Sequence, residues 1–143
     1  MKIMITGSEG FICGFLVEII LSNGLSVVCV DNFSKYGEIR RSYADHPNYT
    51  FINGDVCDTN LLKDHLHDCD HLVASAAKIG GISYFHEYAY DLMAENERIM
   101  ASTFDAAIFS SSFVLFSSLI SCSADSCSYI CFLYLFWRSF NLF

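Results

Sequence analysis

The stretch KIMITGSEGFICGFLVEII, residues 2–20, decides the fold. A short apolar run ends at Gly7, and an apolar stretch of helical length begins at Phe11. In a doubly wound parallel sheet the first strand enters the first helix through such a turn, where glycine supplies positive φ and lets the backbone approach a pyrophosphate. The helix start offers unpaired N–H groups and a partial positive charge. The stretch therefore predicts a strand, a glycine turn and a helix that suit an anionic ligand.

Further apolar runs continue this alternation of strands and helices. The dipeptide Asn23-Gly24 marks the end of the first helix. Alternating elements of this kind predict an α/β fold, a Rossmann-type doubly wound parallel sheet built from right-handed βαβ units. We predict strands over residues 2–6, 25–30, 49–53, 71–77 and 112–118, and helices over residues 11–22, 61–66 and 84–108.

An acid stands at the end of the second predicted strand. This residue, Asp31, follows Gly10 by twenty-one positions. A carboxylate there accepts hydrogen bonds from an adenosine ribose and repels a 2′-phosphate, so NAD is favoured over NADP. The alternative is a solvated turn acid. Glu9 lies inside the glycine turn and is compatible with it, since a turn side chain can point to solvent.

The composition excludes some classes of protein. The chain has 143 residues, 53% of them hydrophobic, which suits one domain. Its net charge of −8 argues against a nucleic-acid partner. The seven cysteines include no CxxC pair, and the N-terminal apolar run breaks at once into GSEG. We therefore expect no secretory signal, free thiols and a cytoplasmic location.

Five motifs occur in order: TGSEGFI (6–12), DNFSKYG (31–37), GDVCD (54–58), ASAAKIGGI (74–82) and Asn96. Together they resemble the extended short-chain dehydrogenase/reductases, and among these the NAD-dependent epimerase/dehydratases that act on nucleotide sugars. The resemblance covers residues 1–118, which we interpret as an incomplete NAD-binding Rossmann domain, truncated before the substrate domain. It implies NAD as cofactor, a nucleotide sugar as substrate and hydride transfer at a sugar carbon through a keto intermediate. Family members pair as homodimers, and we expect this chain to lack part of that interface.

The resemblance also assigns cofactor contacts residue by residue. It implies a pyrophosphate site, an adenosine ribose site, an adenine site and a nicotinamide site, with one helical residue bracing the last. The pyrophosphate site consists of Gly7, Gly10, Phe11 and Ile12, and the adenosine ribose site of Asp31, Asn32 and Ser34. The adenine site consists of Asp55 and Val56, and the nicotinamide site of Ala76, Ala77 and Lys78. The bracing residue is Asn96.

One departure concerns the third glycine of the turn. The family's glycine falls at Cys13, and Gly14 follows one place late. That glycine serves close packing of helix on strand, so we expect Cys13 to weaken the fit.

The family's catalytic signature is YxxxK, in which the lysine lowers the pKa of the tyrosine and a preceding serine or threonine positions the sugar hydroxyl. No YxxxK occurs among the 143 residues. The serine position falls at Leu119, with Ser118 and Ser121 as the neighbouring candidates, and the tyrosine is expected at or beyond Phe143. Residues 119–143 form a hydrophobic tail rich in Ser, Phe and Cys that resembles no part of the family, and a frameshift would explain it. The alternative function is therefore a catalytically inactive fragment that at most binds a dinucleotide.

Other features keep two interpretations open. Residues 106–124 carry no charge and approach the length of a membrane span, but they include a predicted core strand, so a membrane anchor is the less favoured reading. Lys78 is either a cofactor contact or a structural lysine, and Tyr84 and His86 either touch substrate or pack on the surface. Four residues alternate in HLHDCDH: His65, His67, Cys69 and His71. On a strand they would share one face and suit zinc, but we expect solvated polar side chains and no metal site.

Overall fold

The computed structural model describes residues 1–110 and 113–116. In it the protein folds as a parallel sheet with helices on both faces. In chain order the elements are β1 (Lys2–Thr6), α1 (Phe11–Ser22), β2 (Ser26–Asp31), β3 (Tyr49–Asn53), α2 (Thr59–Leu66), β4 (His71–Ala74), α3 (Ile82–Glu87), α4 (Ala89–Ser110) and β5 (Phe113–Phe116). The five strands lie in the order β3-β2-β1-β4-β5, and every neighbouring pair is parallel. The predicted Rossmann-type α/β fold is confirmed. Ser118, Leu119, Ser121 and the tail at 119–143 lie outside the described residues.

Alternate residues of β1 bury their side chains on opposite faces of the sheet. Ile5 packs in the cluster that contains Val17 of α1, whereas Met4 packs in the cluster that contains Leu62 of α2 and Ala106 of α4. A strand covered on both faces must be apolar at consecutive positions. This is why KIMIT and SVVCVD read as continuous apolar runs.

The end of α1 confirms the stop predicted at Asn23-Gly24. The Gly24 N–H donates to Leu21 O at 2.9 Å, and the Leu25 N–H donates to Ile20 O at 3.3 Å. These are the two bonds of a Schellman motif, and Gly24 has the left-handed φ of +74° that the motif requires. The chain thereby turns directly into β2.

Two predicted boundaries move by a few residues. The strand predicted over 71–77 ends at Ala74, because its neighbour β1 ends at the paired residue Thr6. The helix predicted over 61–66 begins at Thr59, since the carboxylate of Asp58 accepts hydrogen bonds from the N–H groups of Asn60 and Leu61. Such an Asp cap satisfies N–H groups that the first helical turn leaves unpaired.

The single helix predicted over residues 84–108 is wrong. Tyr88 leaves the helical conformation, with φ −126° and ψ 34°, and separates α3 from α4. The apolar spacing continues across this break, so periodicity alone did not reveal it. Within the described ranges, no helix combines the length and the apolar character that a membrane span requires.

Candidate functional site

A cavity of about 860 Å³ opens at the carboxyl end of the sheet. Its walls come from the turn after β1, the loop after β2, the segment after β3 and the loop after β4. This edge is where ligands bind in open α/β sheets. Twelve of the thirteen predicted cofactor residues line it: Gly7, Gly10, Phe11, Ile12, Asp31, Asn32, Ser34, Asp55, Val56, Ala76, Ala77 and Lys78.

The glycine turn is packed directly against the loop after β4. Gly7 has a φ of +70°, and a Cβ placed on it would lie 2.7 Å from Ala76 Cα and 2.9 Å from Ala76 N. Its N–H donates to Val30 O at 2.8 Å, which ties the turn to β2. Both the backbone conformation and the lack of space therefore require glycine at this position.

The start of α1 faces the cavity without a capping side chain. Gly10 is the N-cap, it makes no side-chain cap, and the first turn holds no acid. The Gly14 N–H donates to Gly10 O at 3.0 Å as the helix begins. The N–H groups of Phe11, Ile12 and Cys13 precede the first intrahelical bond and need another acceptor, and the helix dipole favours an anion there. The residues present therefore fit a phosphate group.

The side chain of Glu9 does not point to solvent. Its side chain is only 4% exposed, and its Oε2 accepts a hydrogen bond from Arg41 Nε at 3.0 Å. A second guanidinium nitrogen, Nη2, donates to the backbone carbonyl of Glu9 at 2.8 Å. A carboxylate is buried at little cost only when a charge pairs with it. Arg41 supplies that charge from a position 32 residues away in the chain.

Asp31 holds the turn and the loop after β2 together. Its Oδ2 accepts the Glu9 N–H at 3.0 Å, and its Oδ1 accepts the Phe33 N–H at 2.7 Å. A carboxylate has about four acceptor sites, so two remain for further donors. Asp31 is half-buried and lines the cavity, as a ribose contact requires.

Cys13, at the position of the family's third glycine, is buried. Its thiol donates to Ser75 Oγ at 3.0 Å, and burial raises the pKa of this thiol. One residue later, the nearest atoms to an added Cβ on Gly14 belong to the Arg41 side chain, with Nη1 at 2.9 Å. The shifted glycine therefore makes room for Arg41.

The loop after β4 is held from the sheet and from α4. The Oγ1 of Thr6 accepts the N–H groups of Ser75 and Ala76 at 3.2 and 3.3 Å. Asn96 does not line the cavity, but it accepts the Lys78 N–H at 2.8 Å and donates to the Lys78 carbonyl at 3.0 Å. Asn96 thus holds the backbone of this loop from α4, where the resemblance placed it.

The Lys78 side chain forms an ion pair rather than standing alone. Its Nζ lies 3.3 Å from Glu95 Oε2, and this hydrogen bond raises the pKa of Lys78. Both side chains are well exposed, at 38% and 42%. The pair leaves the ammonium at the cavity wall, so a structural role and a cofactor contact are compatible.

Sequence reasoning missed part of the cavity wall. Lys35, within the quoted motif DNFSKYG, donates from Nζ to Ile79 O at 3.0 Å and joins the loops after β2 and β4 across the cavity. Tyr84 also lines the cavity, whereas His86 is not among the lining residues. The motif that contains Lys35 could have indicated that this residue belongs to the cavity wall. Its partner Ile79 could not be predicted, because it lies 44 residues away in the sequence.

The described residues hold no group of His, Cys, Asp and Glu suited to a metal ion. His65 belongs to α2, whereas His71 begins β4, so the alternation in HLHDCDH does not lie on one strand. In the described part of the chain, four cysteines form no disulfide bond: Cys13, Cys29, Cys57 and Cys69.

Comparison with curated proteins finds sugar-modifying relatives. The chain is 36% identical over 94 residues to the low-salt glycan biosynthesis protein Agl12 of Haloferax volcanii, a match that covers 59% of this chain and 30% of that protein. It is 34% identical over 86 residues to the dTDP-glucose 4,6-dehydratase of Streptomyces niveus, covering 54% of this chain and 26% of the relative. The chain thus matches less than a third of the length of these relatives.

Solved structures share the fold. The Bordetella bronchiseptica enzyme WbmH, solved in complex with NAD+, is 31% identical with a TM-score of 0.62, and the match covers 77% of this chain and 36% of that one. The UDP-glucose-4-epimerase of Stenotrophomonas maltophila, solved with bound NAD and formylated UDP-arabinopyranose, has a TM-score of 0.72 at 18% identity, covering 82% of this chain and 37% of that one.

A family model described as the NAD-dependent epimerase/dehydratase family matches residues 3–128, which is most of the chain. The match includes the glycine turn, Asp31 and the loop after β4, and it continues ten residues past the end of the motif-based resemblance at 118. The resemblance inferred from five motifs is confirmed, and with it the dependence of the family on NAD. The chain belongs to the NAD-dependent epimerase/dehydratase family.

Proposed function

We propose that this chain binds NAD at the carboxyl end of its sheet, as the cofactor half of a nucleotide-sugar epimerase/dehydratase. One observation carries the proposal: an uncapped helix start behind a glycine turn opens into a cavity of about 860 Å³. Membership of an NAD-dependent family and likeness to WbmH, solved with NAD+, support the choice of dinucleotide. When bound, NAD supplies the acceptor and donor of a hydride at a sugar carbon.

The pyrophosphate is assigned to the glycine turn and the first turn of α1. Gly7 and Gly10 bring the backbone to the cavity surface, and the N–H groups of Phe11 and Ile12 precede the first intrahelical bond. Backbone donors explain how a chain of net charge −8 can hold an anionic ligand. Phe11 and Ile12 contribute through these backbone groups rather than through their exposed side chains.

The ribose and the bases are assigned to the other walls. Asp31 uses its remaining acceptor sites for ribose hydroxyls, with Asn32 and Ser34 beside it. Asp55 and Val56 flank the adenine. The loop of Ala76, Ala77 and Lys78, braced by Asn96, lines the nicotinamide half.

Proton transfer is not assigned to any residue of the 143. The chain contains no YxxxK, so a tyrosine with a lysine four residues later is absent from this sequence. This observation favours the second candidate function, dinucleotide binding without catalysis by this chain alone. The nucleotide-sugar substrate rests on the relatives, among them a dTDP-glucose 4,6-dehydratase and a CDP-paratose 2-epimerase of Salmonella typhi.

Titration calorimetry of the full 143-residue chain with NAD and with NADP tests the proposal. We expect saturable binding that favours NAD. Asp31→Asn removes the charge and keeps one acceptor oxygen, so it should weaken NAD binding by about tenfold, as for loss of a hydrogen bond to a charged group, and reduce the preference over NADP. Asp64→Asn, at an exposed position on α2 away from the cavity, is the matched control and should bind like the wild type. A folded wild-type chain that binds neither dinucleotide would refute the proposal.

A further inference from the structure

An acid inside a phosphate-binding turn opposes the function proposed for that turn. Glu9 lies between Gly7 and Gly10, lines the cavity and is 4% exposed. A carboxylate in low dielectric repels an approaching phosphate far more strongly than a solvated one does. The turn can therefore bind a dinucleotide only if the charge of Glu9 is neutralised.

Arg41 performs this neutralisation and also holds the backbone. Its Nε donates to Glu9 Oε2 at 3.0 Å, while its Nη2 donates to the Glu9 carbonyl at 2.8 Å. Burial alone would lower the pKa of Arg41, but the hydrogen bond and charge of Glu9 reverse this and raise it. The guanidinium thus stays charged and donates hydrogen bonds to both the side chain and the main chain of Glu9.

The remaining polar groups of Glu9 are also engaged. Its N–H donates to Asp31 Oδ2 at 3.0 Å, and the Tyr49 hydroxyl lies 3.5 Å from Oε1. Gly14 makes room for Arg41, because a Cβ there would lie 2.9 Å from Nη1. Three segments of the chain, those that carry Asp31, Arg41 and Tyr49, therefore converge on this one turn residue.

Arg41 also belongs to the loop that forms the second wall of the cavity. Residues 32–37 of that loop line the cavity, and Arg41 follows four positions later. The ion pair with Glu9 consequently ties the wall expected to hold the ribose to the turn expected to hold the pyrophosphate.

We propose that Arg41 is a positioning residue for the dinucleotide: it cancels the charge of Glu9 and orients the glycine turn so that the pyrophosphate meets N–H groups instead of a carboxylate. The inference rests on the proposed NAD binding. It adds to the cofactor contacts a residue that touches the turn and not the ligand.

Four variants of the full chain test this inference by calorimetry with NAD, ADP and adenosine, each paired with urea unfolding. Arg41→Met should weaken NAD and ADP at least about tenfold, as expected for an uncompensated charge beside a phosphate, and adenosine much less. Glu9→Gln should bind NAD as well as or better than the wild type, because the amide oxygen can still accept from Arg41 while the carboxylate charge is removed. The double variant Glu9→Gln/Arg41→Met should recover most of the affinity and remains measurable if Arg41→Met does not fold. Arg40→Met is the matched control, because its ion pair with Asp45 is exposed, and it should leave NAD binding unchanged.

A purely structural role for Arg41 makes different predictions. It would lower the affinity for adenosine and ADP equally, and Glu9→Gln would weaken NAD binding rather than preserve it. Either result, or wild-type affinity in Arg41→Met, would overturn the inference while leaving NAD binding by the chain intact. Absence of NAD binding by the folded wild-type chain would instead overturn the proposed function, and the inference with it.

Discussion

Replacement of Gly7 by alanine tests whether the glycine turn is pressed against the loop after β4. The substitution acts through two separate effects. An alanine at φ +70° adopts a left-handed conformation, which costs about 1–2 kcal/mol for an L-residue. Its Cβ would also lie 2.7 and 2.9 Å from two backbone atoms of Ala76, and such overpacking costs about 1–3 kcal/mol.

Gly24 separates the two effects. Its φ is +74°, but nothing lies within 4 Å of an added Cβ. Gly24→Ala therefore carries the conformational cost without the steric one. Both variants also reduce the entropy of the unfolded chain by the same amount, so this term cancels in the comparison. The free energy of unfolding should fall by about 1–3 kcal/mol more in Gly7→Ala than in Gly24→Ala.

Urea unfolding followed by circular dichroism measures both differences on the full chain. NAD affinity should fall in Gly7→Ala, since Ala76 must move and it lines the cavity, and should not change in Gly24→Ala. Equal losses of stability in the two variants would refute the reasoning. They would mean that the loop after β4 is not in contact with the turn.

Three further predictions concern the remaining contacts. Thr6→Val keeps the shape of a side chain that is 1% exposed but removes the acceptor of the Ser75 and Ala76 N–H groups. The free energy of unfolding, measured in urea, should therefore fall by about 1–3 kcal/mol. Thr50→Val, at an exposed position, is the control and should change it little. Asn96→Ala leaves the Lys78 N–H without its acceptor and should cost about 1 kcal/mol in urea unfolding and weaken NAD binding in calorimetry; unchanged values in both would contradict the bracing role. Burial raises the pKa of Cys29 from 9.0 to about 12, so the unfolded chain loses this proton first and the stability contribution present below pH 9 is lost as pH rises towards 12. The free energy of unfolding should therefore fall less steeply over that pH range in Cys29→Ala, and parallel curves would contradict the prediction.

The sequence by itself determined most of the elements and the edge of the sheet at which the cavity lies, although it predicted one helix where α3 and α4 are separate. Continuous apolar runs predicted strands covered on both faces, and Asn23-Gly24 predicted the end of α1, because these patterns act through the local backbone. The carboxyl ends of parallel strands then had to meet at one edge. Twelve predicted residues accordingly line one cavity, although the patterns contained no distances.

Tertiary structure alone decided how the charged residues of the site are used. Glu9 is an ordinary turn acid in the sequence, and only the folded chain brings Arg41, 32 residues away, against it. Local sequence patterns likewise did not predict the hydrogen bond from Lys35 to Ile79 or the break between α3 and α4 at Tyr88. Backbone conformation depends mainly on near neighbours, whereas the burial and pairing of a charge depend on which distant segments fold beside it.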